Sequence, residues 1–149
     1  MGDQGKAAGF DRLVADLQRQ IIEQERALYS DKVITEAHNP RKLGRMTEPD
    51  ACAIVRGGCG DTMEIYLRLD GESIKEITFM TDGCGPSVAC ASMLTRLVQG
   101  MSLEEASEVR PEDLLEALDG LPKESVHCAE LAVNTLREAI ANRHARGEA

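Results

Sequence analysis

The sequence predicts an α+β fold, in which a three-stranded antiparallel sheet is packed by helices, with an N-terminal amphipathic helix and a long C-terminal helix. Two patterns predict it. In the middle of the chain, three stretches alternate apolar with polar residues, which is the period of a half-buried strand. Towards both ends, apolar residues recur at the spacing of one helix face. With 149 residues and 42% apolar content, the chain has the size of one ordinary domain with its own core.

The N-terminal part predicts a helix behind a short mobile segment. Residues 1–9 (MGDQGKAAG) are small and polar, as is typical of a mobile chain end. Between about residues 10 and 28, apolar residues recur at helical spacing with Asp, Gln, Glu and Arg between them, so we expect an amphipathic helix. Two interpretations of its apolar stripe stay open: the stripe packs on its own domain, or it forms a dimer or partner interface.

The segment of residues 29–46 is predicted to be a loop or an extended connector. Asn39 and Pro40 form a turn signal within it, because the residue before a proline disfavours the helical conformation. The chain is therefore expected to reach the sheet without a helix in this segment.

Three strands are predicted next, and all are rich in Ile, Val, Thr, Tyr or Phe. They are ACAIVRG (51–57), TMEIYLRLD (62–70) and SIKEITFMT (73–81). Gly71 separates the last two and is a hairpin signal. The economical arrangement is an antiparallel sheet with one buried face and one solvated face.

Four helices are predicted after the sheet. Pro86 suits a first helical turn, and a largely apolar helix follows it as far as Gly100, so we expect this helix to be buried on the sheet. Ser102 is a candidate N-cap and Pro111 stands near a first turn, which predicts two short helices. A longer helix begins at about Ser125 and ends in a tail (NRHARGEA) that is expected to fray.

Charge and hydropathy exclude several classes of partner. A net charge of −9 and a pI near 4.8 leave no basic surface for a phosphate backbone, so nucleic acid is not expected as a partner. The sequence lacks an apolar run near the roughly 20 residues of a membrane helix, and its N-terminus lacks the layout of a signal peptide. We therefore expect a cytoplasmic protein that does not contact the membrane.

The five cysteines are the main chemical feature. An odd number in a reducing compartment favours ligands or reactive thiols over a disulfide framework. Cys59, Cys84 and Cys128 are separated by 25 and 44 positions, and the absence of a C-x-x-C pair disfavours a zinc ribbon or a thioredoxin-type motif. Cys52 and Cys90 are interpreted as buried small apolar residues.

The three separated cysteines all stand at predicted element boundaries. Cys59 lies in the glycine turn GGCGD, Cys84 lies between two glycines before a helix, and Cys128 lies in a first helical turn. A helix N-terminus carries unpaired N–H groups and a partial positive charge, and such settings lower a thiol pKa from about 8.5 into roughly the 3.5–7.5 range. Thiolates, the form that binds metal, are therefore expected at Cys84 and Cys128.

Asp61 and His127 add an oxygen and an imidazole beside these thiols. A set of three cysteines, one aspartate and one histidine can hold an iron–sulfur cluster or zinc. Asp61 is equally interpretable as a turn or cap residue, and His127 as a first-turn surface residue. The residue pattern leaves these alternatives open.

The chain resembles the IscU/NifU-type iron–sulfur cluster assembly scaffolds over about residues 29–141. Four stretches carry the resemblance, in the family's order and at its separations: YSDKVITEAHNPRKLG, GGCGDTMEIYLRLD, ITFMTDGCGPSVACASMLTRLVQGMSLEEA and HCAELAVNTLREAI. The resemblance divides the chain into an N-terminal extension and helix (1–28), a scaffold domain (29–144) and a tail (145–149).

The resemblance implies a [2Fe-2S] site made by Cys59, Cys84 and Cys128, with Asp61 and His127 as ligands or as residues that govern cluster lability. It implies that Cys128 accepts persulfide sulfur from a pyridoxal-phosphate cysteine desulfurase. The finished cluster then passes to apo-proteins. The expected function is that of a scaffold, not of an enzyme in the strict sense.

The sequence differs from two branches of this family, which narrows the group of members that it resembles. Hsp70-dependent members carry Leu-Pro-Pro-Val-Lys before the His-Cys pair, whereas this chain has LPKESVHC from Leu121, which argues against recognition by a dedicated Hsp70. The zinc-dependent SufU branch has an insertion between the second and third cysteines and lacks the histidine present here as His127. The chain is therefore expected to lie outside that branch, although zinc remains an expected occupant of the cluster-free site.

One rival function belongs to a different class. It is a zinc-dependent sulfur acceptor that stimulates a cysteine desulfurase without building a cluster. A purely structural zinc domain is disfavoured, because structural sites prefer closely paired ligands in enclosed surroundings. The expected partners are a cysteine desulfurase, apo-protein acceptors and, as one use of the N-terminal helix, a second copy of the chain.

Overall fold

A computed structural model describes the backbone of residues 2–147 and the side chains of residues 7–144. The elements follow one another as α1 (Gly2–Leu28), α2 (Asp31–His38), β1 (Ala51–Arg56), β2 (Thr62–Asp70), β3 (Ser73–Thr81), α3 (Gly85–Val98), α4 (Leu103–Ser107), α5 (Pro111–Ala117), a 3-10 turn (Lys123–Ser125) and α6 (Val126–Gly147). The predicted α+β fold, with its N-terminal helix and its long C-terminal helix, is confirmed.

The strands form an antiparallel meander in the order β1, β2, β3. Arg56 of β1 lies opposite Thr62 of β2, and Met63 of β2 lies opposite Thr81 of β3. The end of β1, the start of β2 and the end of β3 therefore lie side by side at one end of the sheet. We call this end of the sheet the site end.

One face of the sheet is buried beneath α3 and α6. Met63, Ile65 and Leu67 alternate along β2 with partly exposed neighbours, and each is at most 1% exposed. Burying such a side chain contributes about 1.5–3 kcal/mol to folding. α6 packs on β1 and β2, and α3 packs on β3. Both helices therefore lie on the same face of the sheet.

The segment of residues 29–46 was predicted to lack a helix, and this prediction is wrong. It contains α2, whose N-cap is Ser30: the Ser30 hydroxyl oxygen accepts a hydrogen bond of 3.1 Å from the backbone N–H of Val33. The turn signal at Asn39 is correct, because α2 ends at His38. The helix has only eight residues, and one of its two buried residues is the charged Glu36, so its apolar face is short.

The remainder of the connector covers the free edge of β3. The N–H of Gly44 donates to the carbonyl of Phe79 at 2.8 Å, and the N–H of Phe79 donates to the carbonyl of Lys42 at 3.1 Å. At Phe79, the backbone groups on this edge of β3 are therefore not free to pair with a strand of another molecule.

α1 departs from the sequence expectation in two ways. It begins at Gly2, so residues 2–9, predicted to be mobile, are helical, while Met1 lies outside the described residues. Its apolar stripe does not pack on the domain, because Phe10, Leu17 and Ile21 are 65%, 49% and 56% exposed. The first interpretation of the stripe is therefore wrong.

The C-terminal helix is more regular than predicted. α6 stays helical through Asn142 to Gly147 instead of fraying, and residues 148–149 lie outside the described part. The side chain of Asn142 donates a hydrogen bond of 2.9 Å to the carbonyl of Cys52, which fastens the late part of the helix to β1. Over residues 2–147, none of the helices is long and apolar enough to cross a membrane.

Candidate functional site

The predicted site residues approach one another at the site end of the sheet. Cys59 and Asp61 lie in the turn between β1 and β2, and Cys84 stands three residues after the end of β3, just before α3. His127 and Cys128 are the second and third residues of α6. Residues that are up to 69 positions apart in the sequence thus stand on neighbouring elements.

The turn between β1 and β2 is a compact glycine turn. The N–H of Gly57 donates to the carbonyl of Asp61 at 2.7 Å, and the N–H of Gly60 donates to the carbonyl of Gly57 at 3.0 Å. Gly60 has a φ of 89°, which favours glycine. A Cβ atom on Gly57 would lie 3.2 Å from a methyl of Leu131, so the turn packs closely on α6 and presents an exposed Cys59.

Gly83 lets three site elements approach closely. A Cβ atom at this position would lie 2.6 Å from the hydroxyl oxygen of Ser87 and 3.2 Å from Oδ2 of Asp61. The lack of a side chain at Gly83 therefore brings the carboxylate from the β1–β2 turn next to the first turn of α3.

Cys84 is the N-cap residue of α3 and is exposed. Its carbonyl accepts the N–H of Val88 at 3.1 Å, as an N-cap carbonyl should. Its side chain makes no capping hydrogen bond. The thiol of Cys84 is therefore available to a ligand.

Cys128 is buried, with an exposed fraction of 1%. The hydroxyl of Ser87, itself fully buried, donates to the sulfur of Cys128 across 3.4 Å. Nε2 of His127 lies 3.7 Å from the same sulfur. The thiol is thus held between the first turn of α3 and its own neighbour on α6.

The expectation of a favoured thiolate at Cys128 is wrong for this conformation. Burial raises the pKa of the Cys128 thiol, and the nearby Cys84 and Asp61 act in the same direction, while the hydrogen bond from Ser87 acts against them. A helix N-terminus favours the thiolate, but the loss of water around the buried sulfur disfavours it. Burial of the sulfur thus disfavours the thiolate at Cys128 in this conformation.

A groove of about 310 Å³ opens beside this buried thiol. Cys59, Asp61 and His127 line it together, with Arg56 and Glu130 among the charged residues around them. Three residues that can supply different ligand atoms, a sulfur, an oxygen and a ring nitrogen, thus line one open space.

These residues are neighbours without forming a finished coordination site. Over the described residues, no group of three or more Cys, His, Asp or Glu side chains is arranged to hold a metal ion. The exposed Cys59 and the buried Cys128 present their sulfurs to different surroundings. Binding a cluster between them requires movement of the β1–β2 turn or of the Cys128 side chain.

The other two cysteines differ in their surroundings. Cys90 is fully buried in α3, as predicted, and burial raises the pKa of its thiol. Cys52 lies on β1, as predicted, but is only partly buried. Cys52 alternates with the buried Ala51 and Ala53, so its side chain lies on the more exposed face of the sheet.

One residue that contacts the site was not singled out from the sequence: Ser87, whose hydroxyl touches the sulfur of Cys128. Gly83 was recognised as a glycine beside Cys84, and the structure adds that it allows the approach of Asp61. A hydroxyl in the first turn of a helix that starts with a cysteine is the signal that points to Ser87. That Cys128 is the partner of this hydroxyl depends on how α3 and α6 pack together.

Comparison with known proteins shows the family. The family described as "NifU-like N terminal domain" matches residues 28–149. The chain belongs to this family. The match begins where α1 ends, so α1 is an addition in front of the family domain.

Two curated relatives of this family member are named as scaffold proteins. "Iron-sulfur cluster assembly scaffold protein IscU 1" of Archaeoglobus fulgidus is 40% identical over 114 residues, which cover 76% of this chain and 74% of that protein. "Iron-sulfur cluster assembly scaffold protein IscU" of Escherichia coli (strain K12) is 35% identical over 126 residues, covering 81% and 98%.

A solved structure of a NifU-like protein has the same fold. The N-terminal NifU-like protein from Brucella abortus aligns with a TM-score of 0.66 and 21% identity, covering 80% of this chain and 96% of that one. At this identity the likeness concerns the fold.

Proposed function

We propose that this protein is a scaffold on which a [2Fe-2S] cluster is assembled and from which it is handed to apo-proteins. The cluster is the cargo of the protein. The observation that carries the proposal is the convergence of Cys84, Asp61 and Cys128 around Gly83 and Ser87, with Cys59 and His127 on the adjoining groove. The relatives named as IscU scaffold proteins support it.

Cys128 is the proposed acceptor of sulfur. Its thiolate attacks the outer sulfur of a persulfide on a cysteine desulfurase, a new S–S bond forms on Cys128, and the desulfurase cysteine leaves as a thiolate. An external thiol or electron carrier supplies the two electrons that reduce this sulfur to sulfide. Because Cys128 is buried and its pKa is raised in the closed site, the site must open when the desulfurase docks.

The remaining ligands hold the cargo. Cys59 and Cys84 are exposed thiols that supply two more sulfur ligands. Asp61 supplies an oxygen ligand or controls lability, and His127 stands beside the cysteine that receives sulfur. A cluster with three thiolates and one oxygen ligand is held less tightly than one with four thiolates, which suits a donor.

The experiment is to load the protein anaerobically with ferrous iron, cysteine, a thiol reductant and a cysteine desulfurase, and then to measure iron and acid-labile sulfide per chain. The native protein should hold near-equal amounts of both. Cys128→Ala should hold neither, because it lacks the sulfur acceptor. Cys52→Ala removes a partly buried cysteine on β1, far along the strand from the site end, and should load as the native protein does.

Equal loading of Cys128→Ala and the native chain would contradict the assignment of this cysteine. A persulfide on Cys128, trapped by alkylation and located by mass spectrometry before iron is added, gives a direct readout. Its absence in a native protein that still builds a cluster would move the acceptor role to another cysteine.

The rival function is a zinc-dependent sulfur acceptor. It is favoured by one observation: Cys59, Asp61 and His127 line one groove, and zinc accepts sulfur, oxygen and nitrogen ligands together. In the loading experiment it predicts retained zinc, which iron does not displace, and stimulation of the desulfurase without acid-labile sulfide on the scaffold.

Asp61→Ala should prolong the life of the bound cluster. If the carboxylate controls lability by promoting release, removing it should make the visible absorption of the loaded variant decay more slowly than that of the native protein. The transfer rate to an apo-ferredoxin should fall in parallel. Asp82→Ala, which removes a carboxylate hydrogen-bonded to the N–H of Thr62 at the same end of the sheet, is the control. An unchanged transfer rate in Asp61→Ala would contradict this role.

A further inference from the structure

α1 presents an apolar face that the rest of the chain leaves uncovered. Six large apolar side chains on this helix are between 47% and 65% exposed: Phe10, Leu13, Leu17, Ile21, Ile22 and Leu28. In globular proteins, most helix stability comes from packing an apolar face. A 27-residue helix with such a face is therefore expected to have a partner.

The apolar residues of α1 follow a heptad repeat. Six of the seven a and d positions over three heptads are apolar, and the seventh is a glutamine: Ala7, Phe10, Val14, Leu17, Ile21, Gln24 and Leu28. This 3.5-residue spacing is the seam of a two-stranded coiled coil, in which each side chain enters a hole on a second helix of the same pitch. In the middle of the seam, Val14 and Ile21 at a with Leu17 at d is the combination that favours two parallel strands, whereas Phe10 and Gln24 at the other d positions depart from it.

The charges of α1 fit a second copy of the same helix. It carries five acidic and four basic side chains, a net charge of −1, whereas the whole chain carries −9. Two copies of α1 can therefore approach each other without the repulsion that two copies of the acidic domain would meet. An interfacial membrane helix would be rich in Lys and Arg on its polar face, and α1 is not.

The position of α1 leaves this seam accessible. The helix precedes the family domain, which begins at residue 28, and its contact with that domain lies at its C-terminal end, where Oε2 of Glu25 is 2.9 Å from Nε2 of His38. Leu28, the last seam residue, is still 59% exposed. A second helix can thus run along the whole seam.

We propose that α1 is a dimerisation helix, which joins two copies of this chain through a two-stranded coiled coil with the seam described above. The cluster site lies on the domain and not on α1. The assignment of α1 therefore does not rest on the proposed scaffold function.

Two neighbouring isoleucines provide a matched pair of variants. Ile21 is a seam residue, whereas Ile22 lies one position off the seam, and both are about half exposed. Sedimentation velocity of the full chain over a wide concentration range should show a concentration-dependent dimer. Ile21→Glu should raise the dissociation constant by roughly 100-fold or more, since it removes two apolar side chains from the interface and adds two like charges. Ile22→Glu should change it by less than about threefold.

Three outcomes would overturn the proposal. The native chain could remain monomeric at all concentrations, which would assign the apolar face to another protein. The two variants could weaken association equally, which would indicate non-specific hydrophobic contact. The helical circular dichroism of the native chain could stay constant when the dimer is diluted into monomers. This would show that α1 does not need a second copy to remain helical. Thermal unfolding of the domain is the check that both variants remain folded.

Discussion

Gly83→Ala should destabilise the protein by about 1–3 kcal/mol and should abolish most cluster loading. The added Cβ atom would lie 2.6 Å from Oγ and 2.7 Å from Cβ of Ser87, distances that side chains do not tolerate. Rotation of the Ser87 hydroxyl cannot relieve the contact with Ser87 Cβ. The start of α3 must shift instead, and it carries Cys84 and the hydroxyl that touches Cys128.

A second substitution distinguishes this steric cause from a general loss of flexibility. Ser87→Gly removes the Cβ atom that clashes, so the double variant Gly83→Ala/Ser87→Gly should recover cluster loading and part of the lost stability. Ser87→Ala keeps that atom and should not rescue. Gly58→Ala is the matched control in the neighbouring turn, because a Cβ atom there meets no atom within 4 Å. Chemical denaturation measures the stability, and iron and sulfide analysis measures the loading.

Arg96→Ala should lower the free energy of unfolding by about 2–3 kcal/mol, because it strands a buried charge. Nε of Arg96 lies 2.6 Å from Oε1 of Glu36, whose side chain is only 7% exposed. The other carboxylate oxygen of Glu36 accepts the hydroxyl of Ser92, which in turn accepts the N–H of Arg41 at 2.7 Å. This chain of hydrogen bonds holds α2 and the connector on α3.

Arg68, on β2, provides a matched control for the pair of Arg96 and Glu36. Arg68 has the same side-chain exposure as Arg96, 42%, but its partner Glu76 is 40% exposed and lies 3.4 Å away. Arg68→Ala should cost no more than about 1 kcal/mol, since its partner keeps its water. Urea denaturation of both variants gives the comparison, and equal losses would show that the burial of Glu36 does not matter.

Local patterns were sufficient for most of the secondary structure. Apolar and polar residues alternate over residues 62–70 and 73–81 because one face of the sheet is buried. Both strands have the bounds predicted from this alternation. Caps are local too, and the candidate N-cap Ser102 begins α4 with a capping box. α2 was not predicted, because Asn39 and Pro40 were interpreted as a turn signal for the whole segment and Ser30 was not recognised as an N-cap.

The candidate site was predictable in part. The resemblance named its five residues, and the glycines that let Asp61 and Cys84 approach are visible in the sequence. The contact of Ser87 with Cys128 was not, since it joins residues 41 positions apart whose meeting depends on how α3 and α6 pack. The burial of Cys128, which raises its pKa, depends on the same packing.

The sequence alone therefore fixed the order and type of most elements, the family and the expected ligand residues, because periodicity, caps and motifs are properties of short stretches of chain. Folding in three dimensions decided three other things: that the thiol of Cys128 is buried, which raises its pKa, that Gly83 leaves no room for a methyl group, and that the apolar face of α1 stays uncovered. These three depend on which distant residues exclude water or occupy space around a group, and no stretch of sequence contains that information.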